Sequence, residues 1–127
     1  MLYKKKRSKR KIQRMLVVLA LKGGVQVGVA SGHRVGRSFL LTRLFVHPRM
    51  RRRGVGSNLL RLVGKHCAQA GIRRIEVDDM SDWYRSERNI YTLLGFSYRS
   101  PHGPEMYVPP KTLLRRGLRL RFTADGS

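Results

Sequence analysis

The chain has 127 residues, enough for one domain around a single hydrophobic core. Its 28 Lys and Arg face only 7 Asp and Glu, which gives a net charge of +21. Such a charge attracts polyanions, so nucleic acid, phosphorylated ligands and anionic membranes are candidate partners. The single cysteine, Cys67, excludes an internal disulfide, and the apolar run at residues 15–21 is too short to span a bilayer.

The first third of the chain is predicted to be a tail followed by three strands. Residues 1–14 carry eight positive charges and few apolar side chains, so we expect a disordered basic tail. Strand-like segments follow at residues 15–22, 25–31 and 39–46. The Gly-containing connections between them predict an antiparallel meander, and Pro48 ends the third strand.

The rest of the chain is predicted to alternate between helices and strands. A helix is expected over residues 55–70, because apolar residues recur on one face and Gly71 follows as a cap. The remaining elements are a strand at residues 73–79, a helix from 81 or 82 to 94, and short strands at 96–99 and 105–108. Residues 15–110 thus form the predicted domain, and residues 111–127 a basic C-terminal appendage.

The segment between the third strand and the first helix has the features of an anion site. Four arginines and the glycines at positions 54 and 56 precede a helix N-terminus. Free N–H groups and the positive end of the helix dipole favour phosphate there, and glycine lets the backbone approach a ligand closely. The segment lacks the Lys-Ser or Lys-Thr of a Walker loop and does not match the dinucleotide-binding fingerprint.

This segment resembles the acetyl-CoA loop of the GNAT acetyltransferases, Arg/Gln-x-x-Gly-x-Gly/Ala after a strand that ends Val-x-Pro. Residues 46–48 read Val-His-Pro, and residues 51–56 read Arg-Arg-Arg-Gly-Val-Gly. A second family feature, a tyrosine four residues before Gly-Phe, is matched by residues 91–96. Residues 89–91, together with residues 103–106, also resemble short GNAT proteins encoded by large DNA viruses.

The resemblance implies a mixed α/β fold of the GNAT type: a largely antiparallel sheet with flanking helices, truncated on its N-terminal side. It also implies acetyl-CoA as cosubstrate, with the backbone of residues 44–46 pairing with the pantetheine arm and the loop holding the pyrophosphate. The residues assigned to the cosubstrate on this basis are Leu44, Phe45, Val46, Arg51, Arg52, Arg53, Gly54, Val55, Gly56, Ser57 and Asn89.

The activity implied is N-acetylation of a primary amine: a protein lysine, a protein N-terminus, a polyamine or a small amine. Tyr91 matches the family's proton donor to the leaving thiolate, and the N–H near Val46 would face the oxyanion. Many members carry a base Glu on the strand before the loop, but residues 39–46 contain no acid.

Six of the seven acids lie between residues 76 and 105, which suggests a site for a cation such as a protonated amine. The base candidates are Glu76, Asp78 and Asp79, and strand alternation places the first two on one face. The alternative is that these acids neutralise nearby arginines.

Two other functions stay open at this stage. The charge and the basic tails suit a nucleic-acid-binding protein, although tail aromatics are sparse. The absent strand base suits a CoA-binding protein that does not catalyse. No metal site is predicted, since the histidines lack ligand spacing with one another or with Cys67. An intracellular location, in the cytoplasm or nucleus, and a dimer are both compatible with the sequence.

Overall fold

The protein is built on one mixed β-sheet in a computed structural model that describes residues 1–6, 15–81, 84–86 and 88–114. In chain order the described strands are β1 (Leu2–Lys6), β2 (Met15–Lys22), β3 (Val25–Val35), β4 (Ser38–Val46), β5 (Arg74–Asp78), β6 (Ser97–Tyr98) and β7 (Glu105–Val108). Their spatial order is β1-β2-β3-β4-β5-β7-β6, and every neighbouring pair is antiparallel except β4 and β5. The predicted mixed, largely antiparallel sheet is confirmed.

The helix α1 (Val55–Gln69) makes the crossover that the parallel pair of β4 and β5 requires. Its predicted apolar face is buried against the sheet, with Leu59, Leu60 and Val63 completely inaccessible. Burying each such side chain contributes about 1.5–3 kcal/mol relative to leaving it in water. Cys67 lies on the same face, and burial raises the pKa of its thiol to about 12, so it is a packing residue.

The prediction that residues 1–14 form a disordered tail is wrong for residues 2–6. Leu2–Lys6 form β1, which pairs with β2 from Leu2 opposite Leu21 to Lys6 opposite Val17. Tyr3 packs against the core, and its hydroxyl accepts a hydrogen bond from the side-chain amide of Asn58 at 3.3 Å. The new strand also gives the outer edge of β2 backbone partners. The rest of the predicted tail, residues 7–14, lies outside the described residues.

The second predicted helix is much shorter than expected, because α2 spans only Ile90–Leu93. It starts where the side chain of Asn89 accepts a hydrogen bond from the N–H of Tyr91 at 2.8 Å, which caps the helix. Upstream, Arg85 has a φ of 58° and donates to the carbonyl groups of Ser100 and Gly103 at 2.8 and 2.9 Å. These contacts hold the segment against the loop after β6 instead of in a helix.

The C-terminal boundary predicted at residue 110 lies too early. Residues 110–114 are helical, and Leu113 is 0% exposed. It packs against Gly64 of α1, where a Cβ atom would lie 3.2 Å from a methyl group of Leu113. Residues 115–127 of the predicted appendage fall outside the described residues. In the described part of the chain, no helix is both long and apolar enough to cross a membrane.

Candidate functional site

A cleft opens where β4 and β5 separate. Their parallel pairing ends at Leu41 opposite Val77, although β4 continues to Val46. At the same point the register between β3 and β4 shifts by one residue, which makes Thr42 the extra residue of a bulge. A bulge bends its strand and increases the local twist. The bulge therefore accounts for the departure of residues 43–46 from β5.

The separated part of β4 presents backbone groups to this cleft. His47 donates its N–H to the carbonyl of Val27 in β3 at 2.7 Å. Because successive strand residues direct their backbone groups to opposite sides, those of Leu44 and Val46 point away from β3. The Val46 carbonyl accordingly accepts a hydrogen bond from Nε of Arg51 at 2.9 Å. The N–H groups of Leu44 and Val46 are available to an extended ligand.

The loop between β4 and α1 leaves the N-terminus of α1 open to an anion. Gly54 occupies the N-cap with a φ of 80°, no side chain caps the helix, and its first turn contains no acid. The first intrahelical bond runs from Asn58 to Gly54, so the N–H groups of residues 55–57 have no helical partner. Arg52 also has a positive φ, 63°, a strained conformation typical of functional loops.

A cavity of about 500 Å³ follows this loop and the end of β4. Most of the predicted cosubstrate residues line it: Leu44, Phe45, Val46, Arg51, Arg52, Gly54, Val55, Gly56 and Ser57. Arg53 and Asn89 do not. Gly56 has a packing role that the sequence did not indicate, since a Cβ atom there would lie 3.1 Å from Cδ1 of Ile90.

A second cavity, of about 830 Å³, fills the opening between β4 and β5 and reaches β7. Its acids are Glu76, Asp78 and Glu105, as expected for the two candidates on one face of β5. Glu76 forms an ion pair with Arg99 at 3.2 Å. The residues common to both cavities are Leu44, Phe45, Met80, Ser81 and Tyr91. The two cavities therefore adjoin, with Tyr91 at their junction.

Tyr91 is a buried residue at that junction. It is 8% exposed, its ring packs edge-on against Phe96 with centroids 5.3 Å apart, and no described residue hydrogen-bonds to its hydroxyl. Burial, and then the nearby charge of Asp79, raise the pKa of Tyr91 to about 12. The phenol therefore keeps its proton at neutral pH.

Asp79 does not fit the predicted role of base. It is 2% exposed, lines neither cavity, and accepts hydrogen bonds from both the N–H and the hydroxyl of Ser81, from Asn89 and from Tyr98. Burial raises its pKa, but the hydrogen bonds from Ser81, Tyr98 and Asn89 stabilise the charged form, and the pKa lies below its ordinary value. Its carboxylate is thus committed to structure.

Asn89 likewise has a positioning role in place of the predicted cosubstrate contact. Its amide is buried, donates to Asp79 at 2.7 Å and accepts from the N–H of Tyr91 at 2.8 Å. Sequence reasoning missed Tyr98 in this network, because its bond to Asp79 spans 19 residues. It also missed Ser81, although a serine two residues after an aspartate is a local turn signal. No group of three His, Cys, Asp or Glu side chains in the described ranges is arranged to hold a metal ion.

Comparison with known proteins agrees with this architecture. The family model described as "Acetyltransferase (GNAT) family" matches residues 2–96. The IAA acetyltransferase from Bacillus cereus is 20% identical, with a TM-score of 0.65 over 78% of each chain. No curated protein sequence matches significantly.

Two further solved structures are similar in the same way. The PaiA N-acetyltransferase from Thermoplasma acidophilum, solved with coenzyme A, is 18% identical, with a TM-score of 0.63 over 74% of this chain and 58% of that one. The ribosomal-protein-S18-alanine N-acetyltransferase from Escherichia coli is 21% identical, with a TM-score of 0.63 over 76% and 70%. These structural similarities establish the fold, and the family model covers most of the sequence. The chain therefore belongs to the GNAT family of acetyltransferases, for which acetyl-CoA is the cosubstrate.

Proposed function

We propose that this protein transfers the acetyl group of acetyl-CoA to a primary amine. The observation that carries the proposal is the position of Tyr91 between two adjoining cavities of opposite character. One cavity follows an uncapped helix N-terminus flanked by arginines, which suits a polyphosphate. The other is lined by three acids and by Arg43 and Arg99. Because Arg99 already pairs with Glu76, the acids that suit a protonated amine are Asp78 and Glu105.

The residues along the smaller cavity fit acetyl-CoA, which supplies the acetyl group as a thioester. The N–H groups of residues 55–57 would hold the pyrophosphate, with Arg51 and Arg52 adding positive charge. The N–H groups of Leu44 and Val46 would bind the amide groups of the pantetheine arm. Either of these N–H groups is also suited to stabilise the oxyanion that develops during transfer.

Among the predicted bases, Asp78 is the one we assign. Glu76 is held by Arg99 and Asp79 is buried, whereas Asp78 is exposed and lines the amine cavity. Asp78 would accept the proton of the incoming ammonium, directly or through water, so that a neutral amine attacks. Tyr91 would donate its proton to the leaving sulfur.

Calorimetric titration of acetyl-CoA into nucleic-acid-free protein, at moderate salt, tests the first half of the proposal. Ser57 lies in the first turn of α1 and lines the smaller cavity. An acidic side chain at this position interacts favourably with the helix dipole, but it repels a phosphate group. We expect one-to-one binding, about tenfold weaker in Ser57→Asp and retained in the uncharged control Ser57→Asn. Equal affinities in the two variants would show that the loop does not hold the cosubstrate.

A screen of amine acceptors with radiolabelled acetyl-CoA tests the second half. We expect transfer by the wild type and a loss of about 100-fold in Tyr91→Phe. Binding of acetyl-CoA without transfer to any amine would favour the non-catalytic alternative. Absence of saturable binding would favour the nucleic-acid-binding alternative, which involves segments that are largely outside the described residues.

A further inference from the structure

We propose that the acceptor carries a second positive charge, which Glu105 binds while Asp78 receives the proton of the reacting amine. The inference rests on the proposed function and names its substrate class: a compound with two cationic amines a few bonds apart. Linear diamines and polyamines have this chemistry, and so do adjacent lysines in a peptide.

The first observation is a pair of like charges that face each other across two strands. Asp78 of β5 lies directly opposite Glu105 of β7, and both side chains line the larger cavity. Opposed residues in an antiparallel pair have Cβ atoms about 5 Å apart, and like charges at such positions destabilise the sheet. No described residue forms an ion pair or a side-chain hydrogen bond with either carboxylate.

Two arginines, Arg43 and Arg99, line the same cavity, yet neither forms an ion pair with Asp78 or Glu105. Arg99 donates its backbone N–H to the Glu105 carbonyl at 2.8 Å, yet its guanidinium pairs with Glu76, two residues before Asp78 on β5. In a chain with 28 Lys and Arg, it is unexpected that Asp78 and Glu105 have no ion-pair partner among the described residues. We infer that their counter-charge is supplied by a ligand.

The second, independent observation is Tyr91, a buried residue that lines the same cavity. Tyr91 is more than nine-tenths buried, lines the cavity, and has no hydrogen-bond partner for its hydroxyl in the described residues. A cavity of about 830 Å³ accommodates an extended amine between this hydroxyl and the two carboxylates. The amine near Tyr91 and Asp78 would react, and the second amine would contact Glu105.

An NMR titration of the full-length protein with 1,4-diaminobutane and with butylamine tests the inference without requiring activity. We expect the diamine to bind on the order of fivefold more tightly than the monoamine, since one more solvated ion pair forms. Glu105→Gln should remove most of that preference. Gln69→Lys is the matched control, because it raises the net charge equally at the exposed end of α1 and should leave the preference intact.

The fold of Glu105→Gln is checked in the same samples. Removing one of two opposed carboxylates should raise the Tm by about 1–4 °C, so weaker diamine binding cannot be attributed to unfolding. A wild type without preference for the diamine, or a preference that survives in Glu105→Gln, would overturn the inference. A Lys-Lys dipeptide amide, compared with Lys-Ala amide, distinguishes a peptide source of the two charges from a free diamine.

Acetyl transfer to the same compounds separates this inference from the proposed function. Equal kcat/KM for monoamine and diamine would refute the second-charge site and leave amine acetylation standing. Selective diamine binding without any acetyl transfer would refute the proposed function and leave the cation site standing. We expect both selective diamine binding and acetyl transfer to the diamine. Glu105→Gln should raise KM for the diamine and leave kcat little changed.

Discussion

Hydrogen bonds connect Tyr91, the proposed proton donor, to Asn89 and Asn89 to Asp79. Asp79 anchors the Asn89 amide at 2.7 Å, and the Asn89 oxygen accepts from the N–H of Tyr91 at 2.8 Å. Tyr98 completes the arrangement by donating its hydroxyl to Asp79 at 2.6 Å. The backbone of Tyr91 at the start of α2 is therefore held, through Asn89, by a carboxylate that lines neither cavity.

Replacing Asp79 with Asn should be strongly destabilising. One oxygen becomes an amide donor that faces existing donors, so we expect a loss of about 2–4 kcal/mol in the free energy of unfolding at neutral pH. The folded pKa is depressed, so this stabilisation is present above the unfolded value of 3.8 and is lost as pH falls further. Urea unfolding at pH 7 and pH 3 measures the difference, which should shrink in acid.

The matched control for this prediction is Asp78→Asn. Asp78 is the neighbouring carboxylate on the same chain segment, but it is exposed and has no described hydrogen-bond partner. The same change of charge there should not destabilise the fold, and it removes a like-charge contact with Glu105. Similar losses in the two variants would contradict the anchoring role of Asp79.

The raised pKa of Tyr91 predicts an unusual pH profile for acetyl transfer. A tyrosine that donates a proton loses this ability as pH rises through its pKa, which is about 12 here instead of 10.0. We expect kcat to rise as the bound amine loses its proton, with no fall before about pH 11. Initial rates of acetyl transfer over this range test it. A decline centred near pH 10 would mean that Tyr91 is not the proton donor, or that its hydroxyl is solvated.

At the scale of elements, the helical residues 110–114 are part of the domain. Leu113→Ala should lower the free energy of unfolding by about 2–4 kcal/mol, because it leaves a cavity against Gly64 of α1. Leu93→Ala is the matched control, since Leu93 is 48% exposed and should lose less than about 1 kcal/mol. Urea unfolding measures both. Equal losses would place Leu113 outside the core.

The sequence predicted the elements whose signals are local. β2, β3, β4 and α1 follow from apolar periodicity bounded by glycine and proline, and the loop before α1 contains its anion-binding features within eight residues or so. The strand β1 was missed because its lysines dominate the composition, while Tyr3 finds its hydrogen-bond partner at Asn58 of α1. The short α2 was missed for the same reason, since the contacts of Arg85 are long-range.

The residues of the candidate site also divide into those with a local sequence signal and those without one. Tyr91 and the loop residues were predicted from motifs that are contiguous in sequence. The opposition of Asp78 and Glu105 depends on the register of β5 against β7, which no local pattern specifies. The hydrogen bonding of Asp79 combines the neighbouring Ser81 with Asn89 and Tyr98, which are 10 and 19 residues away. Roles set by convergence of distant segments therefore remained beyond sequence reasoning.

At the scale of the whole molecule, charge is distributed unevenly. The four acids in the described residues are Glu76, Asp78, Asp79 and Glu105, and three of them line the larger cavity. The larger cavity, which also contains Arg43 and Arg99, thus holds most of the described acids of a protein of net charge +21. A cationic acceptor would be repelled by the positive net charge and attracted by these acids, which would favour its approach to this cavity.

The same net charge should make stability depend on ionic strength. Self-repulsion weakens the compact state, and salt screens it over a Debye length of about 10 Å at 0.1 M. We expect the Tm to rise by roughly 3–6 °C between 20 mM and 300 mM sodium chloride. Scanning calorimetry with chloride, and separately with phosphate at equal ionic strength, distinguishes screening from anion binding. A Tm that falls with chloride would show that attractive ion pairs dominate.

The divergence of β4 from β5 has a consequence for the timescales of local motion. The amide hydrogens of Leu44 and Val46 point away from β3, whereas neighbouring amides of β4 are bonded to it. Adjacent residues of one strand should therefore exchange with deuterated solvent at very different rates. A ligand that pairs with the open edge would slow only the fast set. Exchange at Leu44 and Val46 therefore reports whether a ligand is bound, and the amides of β4 that are bonded to β3 serve as an internal reference.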